Sequence, residues 1–309
     1  MNDAPRSGIQ LFSVRTHPDS LPDIIRQVGD AGYDGVEFAD RFREEPPEGI
    51  AGALDETGIE PISVHADLSA VEAATAGEND LIERCHTVGC DRIIIPHLPP
   101  QYFTTQEWIR GLSFRLHRVA TELGEHDIDL GIHTVRDHLN PVLPDSVGTL
   151  VRKTPAPDSI SYYLVRTAER TRQTGLASIS AEPALEVLNA CTAPEQLFFE
   201  VEAAEFRAAG YDLTGMSPQF LDRTDLIHVR DVKQGWFGNH VNVPHGDGVL
   251  DMERVVDTAI GADVEWLIYE NELDEEPGSK IEAGSTLLNE QLASARQVEP
   301  PEEAVVTED

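Results

Sequence analysis

Lysine is nearly absent from this 309-residue chain. It occurs only at Lys153, Lys233 and Lys280, and 23 basic residues face 56 acidic ones for a formal charge of -33. A surface so short of cations argues against nucleic acid as a partner, because Lys and Arg contacts to phosphate carry that affinity. It is the charge expected of a protein living in high salt, where the Debye length shrinks to about 3 Å at 1 M and self-repulsion is screened. The alternative is an acidic protein at ordinary salt. Cysteine is scarce too: Cys85, Cys90 and Cys191 form no CxxC pair and give an odd count. Neither a disulfide framework nor a thiolate zinc site follows from that pattern. No apolar run approaches the roughly 20 residues that span a bilayer, and the N-terminus, MNDAPRSG, is polar. A soluble, cytoplasmic protein without a membrane partner is the expectation. No GxGxxG follows the first strand candidate and no GxxxxGK[ST] occurs, which removes the usual dinucleotide and phosphate loops.

What is present is a repeated alternation. Strand-type segments are expected at residues 9–14, 35–39, 61–66, 92–97, 129–134, 196–202, 225–229 and 265–270, with helical spacing between most of them. The run Arg92-Ile93-Ile94-Ile95 is continuously apolar after its first residue, as in a parallel strand covered on both faces. Eight such units predict an α/β fold, a (β/α)8 or TIM barrel, forming one domain over residues 1–296. Regular spacing fails from about residue 140 to 181, where Pro141, Pro144, Pro155 and Pro157 cluster, so an insertion is expected after strand five. The Pro-rich acidic stretch 297–309 is expected to be a disordered tail.

Polar residues fall at the strand ends, which a barrel brings to one mouth. His65, His97, His133, Glu202, His228 and Glu270 all lie there, and Glu37 sits on the second strand. Imidazoles and carboxylates together suit one divalent ion of the Mn, Zn or Co type better than calcium. Each residue also has a plainer reading. His65 and His97 are equally readable as hydrogen-bonded strand ends, Glu37 as the partner of an arginine such as Arg15, and part of the acidity of Glu202 with its neighbours Glu200 and Glu205 as solvated surface. The stretch Asp225–Asp251 reads as a strand, a Gly-rich working loop and a helix start. Asp231 stands at that strand's end and Trp236 and Phe237 in its loop, the latter pair suited either to cap a sugar ring or to pack the loop.

The segments SGIQLFSVR, AGYDGVEFAD, DLGIHTVRDHL, IHVRDV and VPHGDGVLD, followed by YEN, resemble the xylose isomerase-like barrel family of sugar phosphate isomerases and epimerases, which includes inosose dehydratases. The resemblance implies one divalent metal held by His133, Glu202, His228 and Glu270. It also implies a small sugar or polyol as substrate, with proton transfer by Glu270 and His133. Candidates to contact that substrate, from their places at strand ends and in the following loops, are Glu37, His65, His97, His138, Arg230, Lys233 and Trp236. His133 stands where epimerases of the family carry a glutamate, and Glu202 replaces the usual aspartate. The implied activity is isomerisation or epimerisation by proton abstraction, with dehydration of a keto-polyol and a non-catalytic sugar-binding barrel as alternatives. Oligomeric state, a homo-oligomer included, is open.

Overall fold

The computed structural model describes residues 4–143, 183–235 and 240–297. Eight parallel strands close into a barrel: β1 (Arg6–Gln10), β2 (Gly35–Phe38), β3 (Glu60–His65), β4 (Arg92–Ile95), β5 (Asp129–Thr134), β6 (Phe198–Glu202), β7 (Thr224–Val229) and β10 (Trp266–Tyr269), β1 pairing with both β10 and β2. Two further strands, β8 (Val232–Gln234) and β9 (His240–Asn242), form a small antiparallel hairpin after β7. The expected (β/α)8 barrel is therefore the observed fold. The first strand begins earlier than its apolar run suggests, and Leu11–Val14 is a 3-10 turn. Most of the insertion expected at 140–181, the tail at 297–309 beyond Gln297, and Trp236 with Phe237 lie outside the described residues. The described ends of that insertion meet in an antiparallel bridge between Pro141 and Pro183.

Local signals explain the helices that wrap the barrel. In Leu21–Ala31 the Ser20 side chain accepts from the Asp23 amide, Pro22 occupies the first turn, and Gly32 ends the helix at φ 88°. Gln106–Gly124 starts on Thr105, whose hydroxyl accepts from the Trp108 amide. Their apolar faces meet the outward residues of the strands in one large core.

Alternation along each strand sends every second side chain into the bore. Ile62, Ile94, Phe198, Leu226, Trp266 and Ile268 fill its lower part as a separate apolar cluster. Gly35 and Gly131 make room for them, since a β-carbon at Gly35 would meet Ile62 and Trp266 and one at Gly131 would meet Phe198. Below this plug, Glu265 bridges Arg6 and Arg92, and Arg6 also pairs with Glu60.

Asp225 sits beside that lower ring. Burial pushes its carboxyl up to about 6, with Glu265 and Asp129 adding to the rise against Arg92. A carboxyl raised on folding contributes stability below its unfolded pKa of 3.8 and loses it as the pH climbs through about 6. Asp225→Asn removes that loss. Urea melts should show the variant more stable at pH 7, by at most about 3 kcal/mol, and its advantage shrinking at pH 4. Equal pH dependence in both proteins would refute the assignment.

Candidate functional site

Above the apolar plug the inward positions turn polar, and strand register decides which of them meet. Gln10 pairs with Glu37 across β1 and β2, Glu37 with Ser63 across β2 and β3, His133 with Glu200 across β5 and β6, and Glu202 with His228 across β6 and β7. Glu270 follows β10 directly, its amide donating to the Val229 carbonyl. The result is a ring of carboxylates and imidazoles at the mouth of a cleft of about 870 Å³, lined among others by Gln10, His65, His133, Arg230 and Glu270.

The contacts within the ring are close. His228 Nε2 lies 2.8 Å from Glu37 Oε1 and 3.0 Å from Glu200 Oε1, while its Nδ1 is 3.3 Å from Glu270 Oε2. His65 Nε2 is 3.0 Å from Glu200 Oε2 and 3.2 Å from Glu37 Oε1. His133 Nδ1 reaches Glu200 Oε2 at 2.7 Å. Gln10 Nε2 and Ser63 Oγ both donate to Glu37. Arg230 enters from β7 and spreads its guanidinium over four carboxylates, Glu202 at 2.9 Å, Glu205 at 3.1 Å, Glu272 at 2.9 Å and Glu270 at 3.6 Å.

These neighbours set the charges. Burial opposes a cationic His65, yet Glu37 and Glu200 raise its pKa from 6.5 to about 10. His228 is likewise driven well above its ordinary value, burial being outweighed by Glu200 and Glu37. Glu200 is held well below the usual carboxylate range: burial works against this, and His228, His65 and the hydrogen bond from His133 prevail. Glu270 is held low in the same sense, by Arg230 and His228 against burial. Glu202 goes the other way. Burial and the nearby Glu270 outweigh Arg230, and its carboxyl keeps a proton far above the usual range.

The donor chemistry fits a divalent ion. Two sets of side chains place one ligand atom each within 4.8 Å of one another: Glu37, His65, Glu200 and His228, and separately His133, Glu202 and His228. In the protein alone, cationic His65 and His228 bring the two positive charges that a divalent ion would bring. Glu200 Oε1 and both Glu202 oxygens are buried without a hydrogen bond; Arg230 is near Glu202 but poorly aimed. Orphaned buried carboxylate oxygens of this kind are what an ion would satisfy.

Of the residues singled out in the sequence, Glu37, His65, His133, Glu202, His228, Arg230 and Glu270 are brought together. Others are not. His97 is exposed beyond the end of β4, and Lys233 is exposed on the hairpin. His138 is buried, stacked on Phe103 with ring centroids 3.8 Å apart, and takes the Val135 amide at Nδ1. Burial lowers its pKa to about 3, so it packs as a neutral ring. Asp231 spends its carboxylate on the amides of Gly246, Gly248 and Leu250, which ties the loop before residue 251 to β7. Glu37 does not pair with Arg15, which bonds the Phe12 carbonyl instead.

Part of the acidity of Glu202 and its neighbours Glu200 and Glu205 was expected to be solvated surface, and the structure corrects this at Glu200. Glu200 is fully buried at the centre of the ring, and Glu205 binds Arg230 and the Arg136 amide. Period-two alternation was the available signal for Glu200, since a strand that turns Glu202 inward also turns Glu200 inward.

Comparison with known proteins agrees with the fold. A family model described as xylose isomerase-like TIM barrel matches residues 25–291. No curated protein matches the sequence. Among solved structures, a sugar phosphate isomerase/epimerase from Parabacteroides distasonis superposes with a TM-score of 0.68 at 14% identity, covering 94% of this chain and 95% of that one. The probable 3-DHS dehydratase AsbF from Bacillus anthracis gives 0.62 at 12% identity, covering 92% and 98%. The 3-keto-D-glucoside 4-epimerase YcjR from E. coli gives 0.56 at 14% identity, covering 94% and 99%. At such identities these likenesses are likenesses of fold.

Proposed function

The chain belongs to the xylose isomerase-like TIM barrel family, and from that premise we propose that it is a metal-assisted sugar isomerase or epimerase acting on a small polyol. The observation that carries the reading is an ionised, buried Glu270 beside His228 in the cleft, with His133 lining the same space. Glu270 is the base: its carboxylate lines the cleft 3.3 Å from His228 Nδ1, placed to accept a proton from the carbon next to a carbonyl. His133, oriented through Nδ1 by Glu200, gives a proton to the carbonyl oxygen as electrons move onto it. Return of a proton to the former carbonyl carbon, as the adjacent hydroxyl gives up its proton and becomes the new carbonyl, yields the isomer. Return to the opposite face of the original carbon, as the oxygen gives its proton back to His133, yields the epimer. A divalent ion held by His228 with its carboxylate neighbours would supply Lewis acidity at the substrate oxygen.

Glu202 favours a second reading. A carboxyl that keeps its proton next to an ionised one supplies an acid and a base in one site, which loss of hydroxide from a keto-polyol needs. The neighbours that bear an epimerase's and a dehydratase's names are consistent with either reaction.

The test is incubation with phosphorylated and unphosphorylated ketoses and cyclic keto-polyols in D2O, followed by NMR. Deuterium entering beside the carbonyl is expected. A new C=C conjugated to the carbonyl would select dehydration, and no exchange with any substrate would count against both.

A further inference from the structure

His228 belongs to two overlapping donor sets, and the geometry distinguishes them. We propose that the divalent ion binds in the inner set, to Glu37 Oε1, His65 Nε2, Glu200 Oε1 and His228 Nε2, and that His133 and Glu270 support those ligands from outside. The inference rests on the preceding reading for the presence of an ion, not for the reaction.

Four ligand atoms about 2.0 to 2.1 Å from one tetrahedral ion stand roughly 3.3 Å apart. The three separations resolved between these atoms are 2.8, 3.0 and 3.2 Å, so an ion need spread them by only a few tenths of an ångström. Glu200 Oε1, like both Glu202 oxygens, is buried without a hydrogen bond. The atoms not needed for binding are already held. Ser63 donates to Glu37 Oε2, His133 reaches Glu200 Oε2 at 2.7 Å, and His228 Nδ1 faces Glu270 Oε2 at 3.3 Å. An imidazole that offers one nitrogen to a metal and turns the other to a carboxylate is the usual outer arrangement of a metal-binding histidine.

The outer set differs in its neighbour. Arg230 stands against Glu202 and Glu270, 2.9 Å from Glu202 Oε2 and 3.6 Å from Glu270 Oε2, so the positive charge of that region is a guanidinium. Glu200 lies one inward step below Glu202 on β6 and is not among the ligands that the family resemblance implies. The inner site is therefore a property of this chain's own residues.

The experiment is a Co(II) titration of the full chain after treatment with a chelator, reading equivalents bound and the visible absorption of the ion. The wild type is expected to take up one equivalent with the strong bands of a low-coordinate ion. Glu200→Gln should weaken binding by more than about a hundredfold and Glu202→Gln by no more than about threefold, against the roughly 10–100-fold typical of losing an outer partner. Should Glu200→Gln fail to fold, Ser63→Ala is expected to weaken Co(II) roughly 10–100-fold, and unchanged affinity would overturn the proposal. Loss of Co(II) in Glu202→Gln with retention in Glu200→Gln would also overturn it, as would a wild type that binds none. A protein that binds Co(II) through Glu200 but exchanges no proton with any sugar would sink the proposed reaction and leave the inner site standing.

Discussion

Glu270→Gln is expected to lower the rate of proton exchange by about 10² to 10⁴, the range in which a positioned general base contributes. The substitution keeps the shape of the side chain and removes only its capacity to take a proton. Its neighbours are fixed by other bonds: Arg230 still meets Glu202, Glu205 and Glu272, and His228 still meets Glu37 and Glu200. The fold should therefore survive, with a urea midpoint near that of the wild type. The decisive comparison is deuterium incorporation at saturating substrate, because a group used in the proton transfer changes kcat and one used only to hold the sugar changes KM. Exchange at the wild-type rate in Glu270→Gln would remove Glu270 from the mechanism and leave His133 or Glu202 as the proton carrier.

Arg230→Met should have the largest effect on stability, costing about 3 to 5 kcal/mol at neutral pH. Arg230 is 8% exposed, and its guanidinium is the cation shared by Glu202, Glu205, Glu270 and Glu272. Methionine fills comparable space but leaves buried negative charge unbalanced. The dependence on pH has a definite sign. Glu270 is depressed in the folded protein, so it contributes stability above the unfolded carboxylate range and loses it as the pH falls through its folded value. Removing Arg230 cancels most of that contribution. The gap between wild type and variant should be widest above about pH 5 and narrow as the carboxylates of both states take up protons. Denaturant melts at pH 7 and pH 4 measure it, and a constant gap would show that packing rather than charge is Arg230's role. A loss of this size is a large share of the roughly 5 to 15 kcal/mol that holds a domain together.

The barrel itself was legible in the chain because its signal is repeated. Eight apolar segments at regular intervals survive small errors in any one of them, and the Ile93–Ile95 run needs both faces covered to make sense. The site was legible where strand ends and alternation agree, as at His133, His228 and Glu270. It was not legible where only nearness to a strand end was available. His97 lies two residues past Ile95, where the chain has left the strand, and His138 belongs to a 3-10 turn that directs its ring into the Phe103 packing. Glu200 was obscured by composition. In a chain with 56 acidic residues, one more glutamate beside two others reads as surface. The pairing of β5 with β6, a contact between residues 67 apart, is what brings it against His133.

Among the described residues, the apolar plug of the bore, with Trp266 and Phe198 at its heart and the Arg6–Glu265–Arg92 bridge beneath, closes the barrel at its lower end. Whatever lies deepest must wait for whatever lies above it. An ion among Glu37, His65, Glu200 and His228 would therefore be trapped while a sugar occupies the cleft, and would escape to a chelator only between visits. With both bound, substrate would be the lock on the metal, and traffic through the site would have an order: ion first in, sugar second, sugar first out.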